Sequence, residues 1–275
     1  MKILVPVKRV ADPDNASKVK VTDPSRVDTT GLEVKVNPFD EYALETALRL
    51  TENGTNPKAR LGEVVAVTFG SKDADATLRT LLGVGADRAI RVDTTDEAID
   101  GDVIARGLKA LVEKEKPDLV LLGKQAVDGD ANQVAQLLAE YLGWPQATFA
   151  ATITSDADKA LTVGREVDGG TLNLKVTLPA VVSVDLRIVA PKSVTSIHTP
   201  DTHTYKEGLR YTPVMAFMAA KKKPLDEMPL ASLVSETAPK ITYTSYELPP
   251  GRKAGVKVKD VVELVQKLRT EAKVL

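Results

Sequence analysis

The sequence contains no cysteine among its 275 residues, and histidine occurs only twice. Without cysteine the chain can form no disulfide, no thiolate zinc site and no cysteine nucleophile. The absence fits a reducing compartment. His198 and His203 flank Asp201 in a Thr/Pro-rich stretch near Ser196, but no further ligand or nucleophile elbow accompanies them. We therefore expect neither a metal site nor a Ser-His catalytic set there.

An excess of either charge is also missing, because 37 basic side chains face 38 acidic ones and the net charge is −1. This balance disfavours a nucleic-acid partner or an anionic membrane surface. No run reaches the roughly 20 apolar residues that cross a bilayer, so we expect no membrane insertion. The apolar run at residues 3–7 is too short for a signal peptide, and we expect the chain to begin at its functional start. Apolar residues make up 43% and charged residues 27%, as in soluble globular proteins.

Strand and helix patterns alternate along the first 145 residues. Short apolar runs predict strands at 2–7, 63–68, 88–92 and 118–122. Helical spacing predicts helices from Asn37 to about Gly54, over 72–83 with Gly83 as the stop, and over 100–115 and 130–142. This alternation indicates right-handed crossovers, and therefore a Rossmann-like α/β fold with a mostly parallel sheet flanked by helices.

The pattern changes after Pro145. Consecutive strands are predicted at 147–154, 160–167, 171–177 and 180–187, which indicates an antiparallel extension of the sheet. From about residue 190 the chain is rich in Pro and Thr, and one helix is predicted, at about 258–271. We predict an α/β nucleotide-binding domain over 1–190 and an extended C-terminal arm over 191–275, which lies across a partner's surface.

Three segments are candidates for one ligand site, because ligands of open α/β sheets bind at the carboxyl ends of strands. They are Val7-Lys8, Asn37-Pro38-Phe39-Asp40 and the run from Gly123 to Gln133, which leads into a helix N-terminus suited to phosphate. The spacing alone fits an ordinary strand-to-helix loop equally well.

The usual nucleotide fingerprints are missing. Gly83-Val84-Gly85 lacks a third glycine and ends a predicted helix, and Gly123-Lys124 lacks the rest of a Walker A loop. The Ser-Gly-Gly-x-Asp-Ser loop of ATP-cleaving relatives is absent as well. A nucleotide bound here would therefore be held and not hydrolysed.

Apolar side chains also cluster in the arm, where they are poorly placed for a core. Met215, Phe217 and Met218 precede the basic run Lys221–Lys223, whose charge is balanced by acidic residues that follow. Such a cluster indicates either a partner contact or packing of the tail itself. The lysines fit a solvated face or a docking surface.

Several motifs together resemble the β subunits of electron-transfer flavoproteins, in order along nearly the whole chain. They are Asn37-Pro38-Phe39, Gly123-Lys124-Gln125-Ala126, Asn132-Gln133, Trp144-Pro145-Gln146, Arg165–Gly170, Leu178-Pro179-Ala180-Val181-Val182, Ala219–Lys223 and Ala254–Val258. The resemblance implies a fold of the adenine-nucleotide-binding type. It also implies a heterodimer with an α subunit that holds most of the FAD, and a structural AMP in this chain.

Carried over by position, the resemblance assigns AMP-binding residues, with Phe39 also near the flavin rim and Glu166 contacting the flavin-bearing domain of the α subunit. The AMP residues are Pro6, Asn37, Pro38, Phe39, Asp40, Phe69, Gly123, Lys124, Gln125, Ala126, Val127, Asp128, Gly129, Asp130, Ala131, Asn132, Gln133 and Val134. A docking segment for flavin dehydrogenases would use Tyr211, Val214, Met215, Phe217, Met218, Lys221, Lys222 and Lys223.

The implied function is electron carriage without a substrate reaction of this chain's own. Dehydrogenases such as the acyl-CoA dehydrogenases of fatty acid oxidation would reduce the FAD, which would pass electrons to a quinone-linked oxidoreductase. The bacterial cytoplasm is the favoured location, with the mitochondrial matrix as the alternative. One alternative function within the family is electron bifurcation, with a second FAD in place of AMP. A different class is a stand-alone nucleotide-sensing module.

Two departures from the family pattern carry expectations. Ala11–Asp14 replaces an aromatic residue that many relatives place near the flavin, so one flavin contact is expected to be missing. Lys192–Gly208 resembles an insertion before the docking segment, and we hypothesise that it changes the choice of dehydrogenase. The inserting apolar residue of the family aligns with Val214 or with Met215, depending on the placement of a gap.

Overall fold

The computed structural model describes residues 1–54, 59–157, 159–251 and 254–275, so parts of both predicted domains lie outside the described residues. The strands are β1 (Lys2–Pro6), β2 (Arg9–Ala11), β3 (Lys20–Asp23), β4 (Arg26–Asp28), β5 (Val34–Val36), β6 (Glu63–Phe69), β7 (Arg88–Asp93), β8 (Leu119–Gly123), β9 (Gln146–Ser155), β10 (Ala160–Val167), β11 (Gly170–Thr177), β12 (Ala180–Val184), β13 (Val194–Thr195) and β14 (Leu225–Pro229). The helices are α1 (Pro38–Thr51), α2 (Ala74–Val84), α3 (Gly101–Glu115), α4 (Val134–Leu142), α5 (Val214–Ala220) and α6 (Val261–Thr270).

The main sheet has the order β11-β10-β9-β12-β8-β1-β6-β7-β14, with β13 beside β9. In this order, each neighbouring pair is parallel from β9 through β12, β8, β1, β6 and β7 to β14. At the other end, β10 is antiparallel to both β9 and β11. The predicted mostly parallel sheet with an antiparallel extension is therefore confirmed.

Helices cover both faces of the parallel strands, because alternate strand residues point to opposite faces. Ile3 and Val5 of β1 belong to a core shared with α1 and α2. Leu4, between them, belongs to a second core shared with α3 and α4. Strands buried on both faces explain the continuous apolar runs in the sequence.

The chain divides into two compact units. One comprises Met1–Val19 and Thr29–Tyr243, and the other comprises Lys20–Asp28 and Thr244–Leu275. The second unit contains the β3–β4 hairpin and α6. The predicted domain division at residue 190 stays a prediction.

Several predicted boundaries are wrong for identifiable reasons. Gly83 lies inside α2, which ends instead at Gly85 with φ 149°. The helix predicted from residue 130 begins at Val134, because Asp130 and Asn132 have left-handed backbone angles of φ 47° and 46°. The strand predicted to residue 187 ends at Val184 and is followed by a 3₁₀ turn.

The segments on either side of the α/β core also contain more structure than expected. The polar stretch before residue 37 forms the short strands β2 to β5, of which β3 and β4 are largely exposed, whereas β2 and β5 each bury a valine. In the predicted arm, β14 joins the edge of the main sheet beside β7. Its charged residues Asp226 and Glu227 suit an exposed edge strand, and they obscured the strand pattern in the sequence.

Candidate functional site

The carboxyl ends of β1 and β8 meet the first turn of α1. These strands are parallel neighbours, so the residues that follow them emerge at the same edge of the sheet. The Asp40 carboxyl accepts hydrogen bonds from the backbone N–H groups of Lys8, at 2.8 Å, and Gly123, at 3.2 Å. The three segments that the sequence analysis grouped therefore converge on one side chain.

Asp40 is only 7% exposed, and this burial raises the pKa of its carboxyl to about 7, although the two backbone donors act in the opposite direction. Gly123 is required at this junction because a Cβ atom there would lie 2.4 Å from the Asp40 Oδ1 and 2.6 Å from the Phe39 carbonyl carbon. This glycine, which has no Cβ, thus allows the end of β8 to approach α1 closely.

Asn37 fixes the loop that follows β8. It occupies the N-cap position of α1, as predicted, but its side chain makes no capping hydrogen bond. Instead its Nδ2 donates to the Gln125 carbonyl at 2.8 Å, and its Oδ1 accepts from the Val127 N–H at 3.1 Å. The amide therefore holds the 123–133 loop against the start of α1.

The loop itself is folded into a tight turn. The Asp130 N–H donates to the Ala126 carbonyl at 2.9 Å, and the Gln125 side-chain amide donates to the Asp130 carboxylate at 2.7 Å. Asp130 and Asn132 both adopt the left-handed conformation, which Asp and Asn tolerate better than most non-glycine residues. The loop leads into α4, whose first turn has no side-chain cap.

A cleft of about 260 Å³ lies at the carboxyl ends of β1, β6 and β7. Its lining residues are Lys8, Arg9, Phe69, Gly70, Ser71, Ala74, Thr95, Asp96 and Glu97. Lys8 links the cleft to the loop, because its ammonium pairs with the Asp128 carboxylate at 2.7 Å. The cleft thus has two cationic side chains, Lys8 and Arg9, and two acidic ones, Asp96 and Glu97, around the Phe69 ring.

Some of the predicted nucleotide residues line this region and others lie behind it. Phe69 lines the cleft, and its ring packs on Gly107 of α3, where a Cβ atom would lie 2.6 Å from the ring. Pro6 is buried in β1. Arg9, Ser71 and the residues 95–97 were missed, because single polar residues after a strand carry no distinctive spacing.

Aromatic and cationic side chains meet beside the loop. The Lys124 ammonium lies 5.1 Å from the Phe39 ring centroid and 5.7 Å from that of Phe149, and pairs with the Asp185 carboxylate at 2.8 Å. Phe149 has a left-handed φ of 58°, and the Arg165 guanidinium lies 5.5 Å from its ring centroid. The left-handed Phe149 lies at a bulge in β9, where the register of its pairing with β12 shifts. Its ring forms a cation–π cluster with Lys124 and Arg165 at the edge next to Phe39.

The predicted docking residues lie on and around the short helix α5. Tyr211 is 83% exposed, and Val214, Met215 and Met218 are 71%, 78% and 55% exposed. Lys221 and Lys222 are also exposed. Large apolar side chains that protrude together from one short helix are typical of a protein contact.

Other predicted or possible sites carry less chemistry. Within the described ranges, no three His, Asp or Glu residues are grouped so that they could hold a metal ion. The His203 ring packs edge-on against Tyr205, which is buried. A second cavity, of about 500 Å³, includes Trp144, Pro117 and Pro179 and lies at the opposite, amino edge of the sheet. No helix in the described parts of the chain is long and apolar enough to cross a bilayer.

Comparison with known proteins decides the family. The model of the electron transfer flavoprotein domain matches residues 26–233. The chain is 42% identical over 275 residues to an electron transfer flavoprotein subunit beta of Bradyrhizobium diazoefficiens, with full coverage of both chains. The chain belongs to the electron-transfer flavoprotein β-subunit family.

Relatives from other kingdoms show the same full-length similarity. The mitochondrial electron transfer flavoprotein subunit beta of Arabidopsis thaliana is 43% identical over 277 residues, with both chains covered completely. The human electron transfer flavoprotein subunit beta is 42% identical over 273 residues, covering 98% of this chain and 97% of the human one. Family membership gives this chain a role in electron transfer as part of a flavoprotein, and the name of its relatives as subunit beta implies an α partner.

Proposed function

We propose that this chain holds AMP at the carboxyl edge of its sheet and carries no substrate reaction of its own. The observation that carries the proposal is that the side chains of Asp40 and Asn37 join three segments by hydrogen bonds, namely the residue after β1, the start of α1 and the loop after β8. Beside these segments lie a folded loop, the start of α4, which has no side-chain cap, and a cleft whose lining includes the cations Lys8 and Arg9 together with Asp96 and Glu97. Cations and free N–H groups at a helix start are the donors that a phosphate prefers.

The cleft is small for a ligand pocket. At about 260 Å³ it lies just below the usual range of ligand pockets, roughly 300–1,000 Å³. ATP and FAD both contain an AMP unit. The same site could therefore hold the second FAD of the bifurcating alternative only if the cleft extended further. The sequence has none of the loops that cleave ATP, and we therefore assign AMP a structural role.

The electrons would be carried by FAD held mainly by the α subunit. Phe39 and the cation–π cluster at Lys124 lie at the edge where the proposed AMP loop begins, and we assign this edge to the flavin side of the complex. FAD, when bound there, would accept electrons from a dehydrogenase flavin and pass them to a quinone-linked oxidoreductase. The chain's own residues would position the flavin domain and exclude water from its rim.

Two exposed apolar surfaces would serve the two kinds of partner. The docking residues on α5 are assigned to flavin dehydrogenases such as acyl-CoA dehydrogenases. The C-terminal segment exposes Leu248, at 55%, and Val261 and Val262, at 74% and 76%, and is assigned to the α subunit. A bacterial cytoplasmic setting is proposed for the assembled carrier.

The test is reduction of the complete complex. The chain would be co-expressed with its α subunit, and FAD absorbance followed after addition of an acyl-CoA dehydrogenase and its substrate. We expect rapid FAD reduction in the wild type, and slower reduction at low dehydrogenase concentration in Met215→Glu. Leu61→Glu, which changes an exposed apolar residue outside the docking segment, should leave the rate unchanged. Reduction by NADH without any dehydrogenase would contradict the proposal and favour bifurcation.

A further inference from the structure

Gly83 is a buried glycine in the interior of α2, where alanine would form a better helix. A Cβ atom at Gly83 would lie 2.6 Å and 2.9 Å from the Cδ1 and Cε1 atoms of Phe217 in α5. Real Cβ atoms do not approach other atoms so closely. Gly83 therefore forms a socket in which the Phe217 ring rests directly on the backbone of α2.

A second set of contacts joins the end of α5 to the same helix. The Arg79 guanidinium donates to the carbonyls of Ala220, at 3.0 Å, and Lys223, at 2.8 Å. In return the Lys223 ammonium donates to the carbonyls of Leu82, at 3.0 Å, and Ala86, at 2.6 Å. Arg79 of α2 and Lys223, which follows α5, thus each donate to carbonyl groups of the other's segment, and Lys223 differs from the exposed Lys221 and Lys222.

The helix α5 needs these contacts because it has only seven residues, too few to be stable alone. Its apolar residues Val214, Met215 and Met218 are exposed, so they contribute little to holding it in place. Ala220, by contrast, is 1% exposed. The orientation of the exposed side chains therefore depends on the socket and on the paired cations.

We propose that Gly83 and the Arg79–Lys223 pair are positioning residues for dehydrogenase recognition. They act through α5, by holding its apolar face in the orientation that a dehydrogenase binds. The inference rests on the proposed docking function of α5. A surface that is already ordered binds more tightly, because less conformational entropy is lost on association.

The test is Gly83→Ala in the complete αβ complex. Flavin reduction would be measured as a function of complex concentration with a fixed amount of acyl-CoA dehydrogenase. We expect KM for the complex to rise on the order of tenfold, the effect of failing to pre-order one or two side chains. We expect kcat, FAD content and AMP content to be unchanged. Thr80→Ala, on an exposed position of the same helix, is the matched control.

Compensation distinguishes positioning from a general loss of folding. Adding Phe217→Leu to Gly83→Ala replaces the rigid ring by a smaller and more flexible side chain that can turn away from the new Cβ, and we expect KM to return toward the wild-type value. Arg79→Gln, measured in parallel, lies outside the docking segment, should raise KM in the same way, and keeps the proposal testable if the Gly83→Ala complex fails to assemble.

The outcomes separate this inference from the function on which it rests. If Met215→Glu raises KM but Gly83→Ala and Arg79→Gln do not, the positioning role is refuted while the docking role stands. If none of the three raises KM, the docking role of α5 fails as well. An increase that Phe217→Leu does not reverse, accompanied by loss of nucleotide, would refute positioning in favour of a folding defect.

Discussion

Replacing Gly123 by alanine tests the junction on which the proposed nucleotide site is built. The added Cβ would lie 2.4 Å from the Asp40 Oδ1 and 2.6 Å from both the carbonyl carbon and the Cβ of Phe39. The Phe39 atoms cannot rotate away, because they are a backbone carbon and a Cβ, and the buried Asp40 carboxyl is held by its hydrogen bonds to the N–H groups of Lys8 and Gly123. The end of β8 must therefore move away from α1.

The cost follows from two terms. Overpacking a well-packed site costs about 1–3 kcal/mol, and the displaced Gly123 N–H would lose its Asp40 acceptor, adding about 1 kcal/mol. For a chain of this size, a loss of about 2–4 kcal/mol corresponds to a fall in Tm of roughly 5–15 °C. The loop that follows would move with Gly123, so we also expect loss of the bound nucleotide.

The assay is thermal unfolding of the αβ complex together with its nucleotide content. Gly129→Ala is the matched control for thermal stability, because Gly129 lies in the same loop and a Cβ there meets nothing within 4 Å. The reasoning is refuted if Gly123→Ala melts like the wild type and retains its nucleotide. An equal fall in Tm for both substitutions would also contradict it, because the close approach to α1 would then not be the cause.

Two further predictions concern buried charge. The raised pKa of Asp40, about 7, means that its stabilising contribution is fully present below about pH 4 and is lost as pH rises to 7. Wild type should therefore lose thermal stability relative to Asp40→Asn between about pH 4 and pH 7, and a constant difference over that range would contradict this. Arg210→Gln removes the cation that the buried carboxylates of Glu45 and Glu52 contact at 2.7 Å and 3.1 Å. Glu45 keeps its pair with Arg49, at 2.8 Å, so the substitution should cost about 1.5–3 kcal/mol in denaturant unfolding, the value of hydrogen bonds to charged groups. The exposed pair of Arg187 provides the control, since Arg187→Gln should cost less than about 1 kcal/mol.

The parallel core could be predicted from sequence because its strands are buried on both faces. Continuous apolar runs such as residues 2–6 and 119–122 have few alternatives in a chain that alternates with helices. The convergence at Asp40 also followed, since parallel strands bring their carboxyl ends to one edge. In both cases local pattern and global topology agree.

The missed features depend on long-range contacts that leave no local pattern. The strand β14 is recognisable only beside β7, where Arg91 pairs with Glu227 at 2.8 Å. The interior position of Gly83 could not be distinguished from a helix stop without its contact to Phe217. The side chain of Asn37 was expected near a helix start, but its use in holding a loop 88 residues away required the fold.

The amount and kind of nucleotide in the complete complex test the central claim most directly. The chain would be co-expressed with its α subunit, the purified complex denatured, and the released nucleotides quantified by chromatography. One FAD and one AMP per heterodimer, with AMP lost on Gly123→Ala and FAD retained, is the predicted result. Two FAD and no AMP would contradict the structural-AMP assignment and identify the site as that of a second, electron-bifurcating flavin.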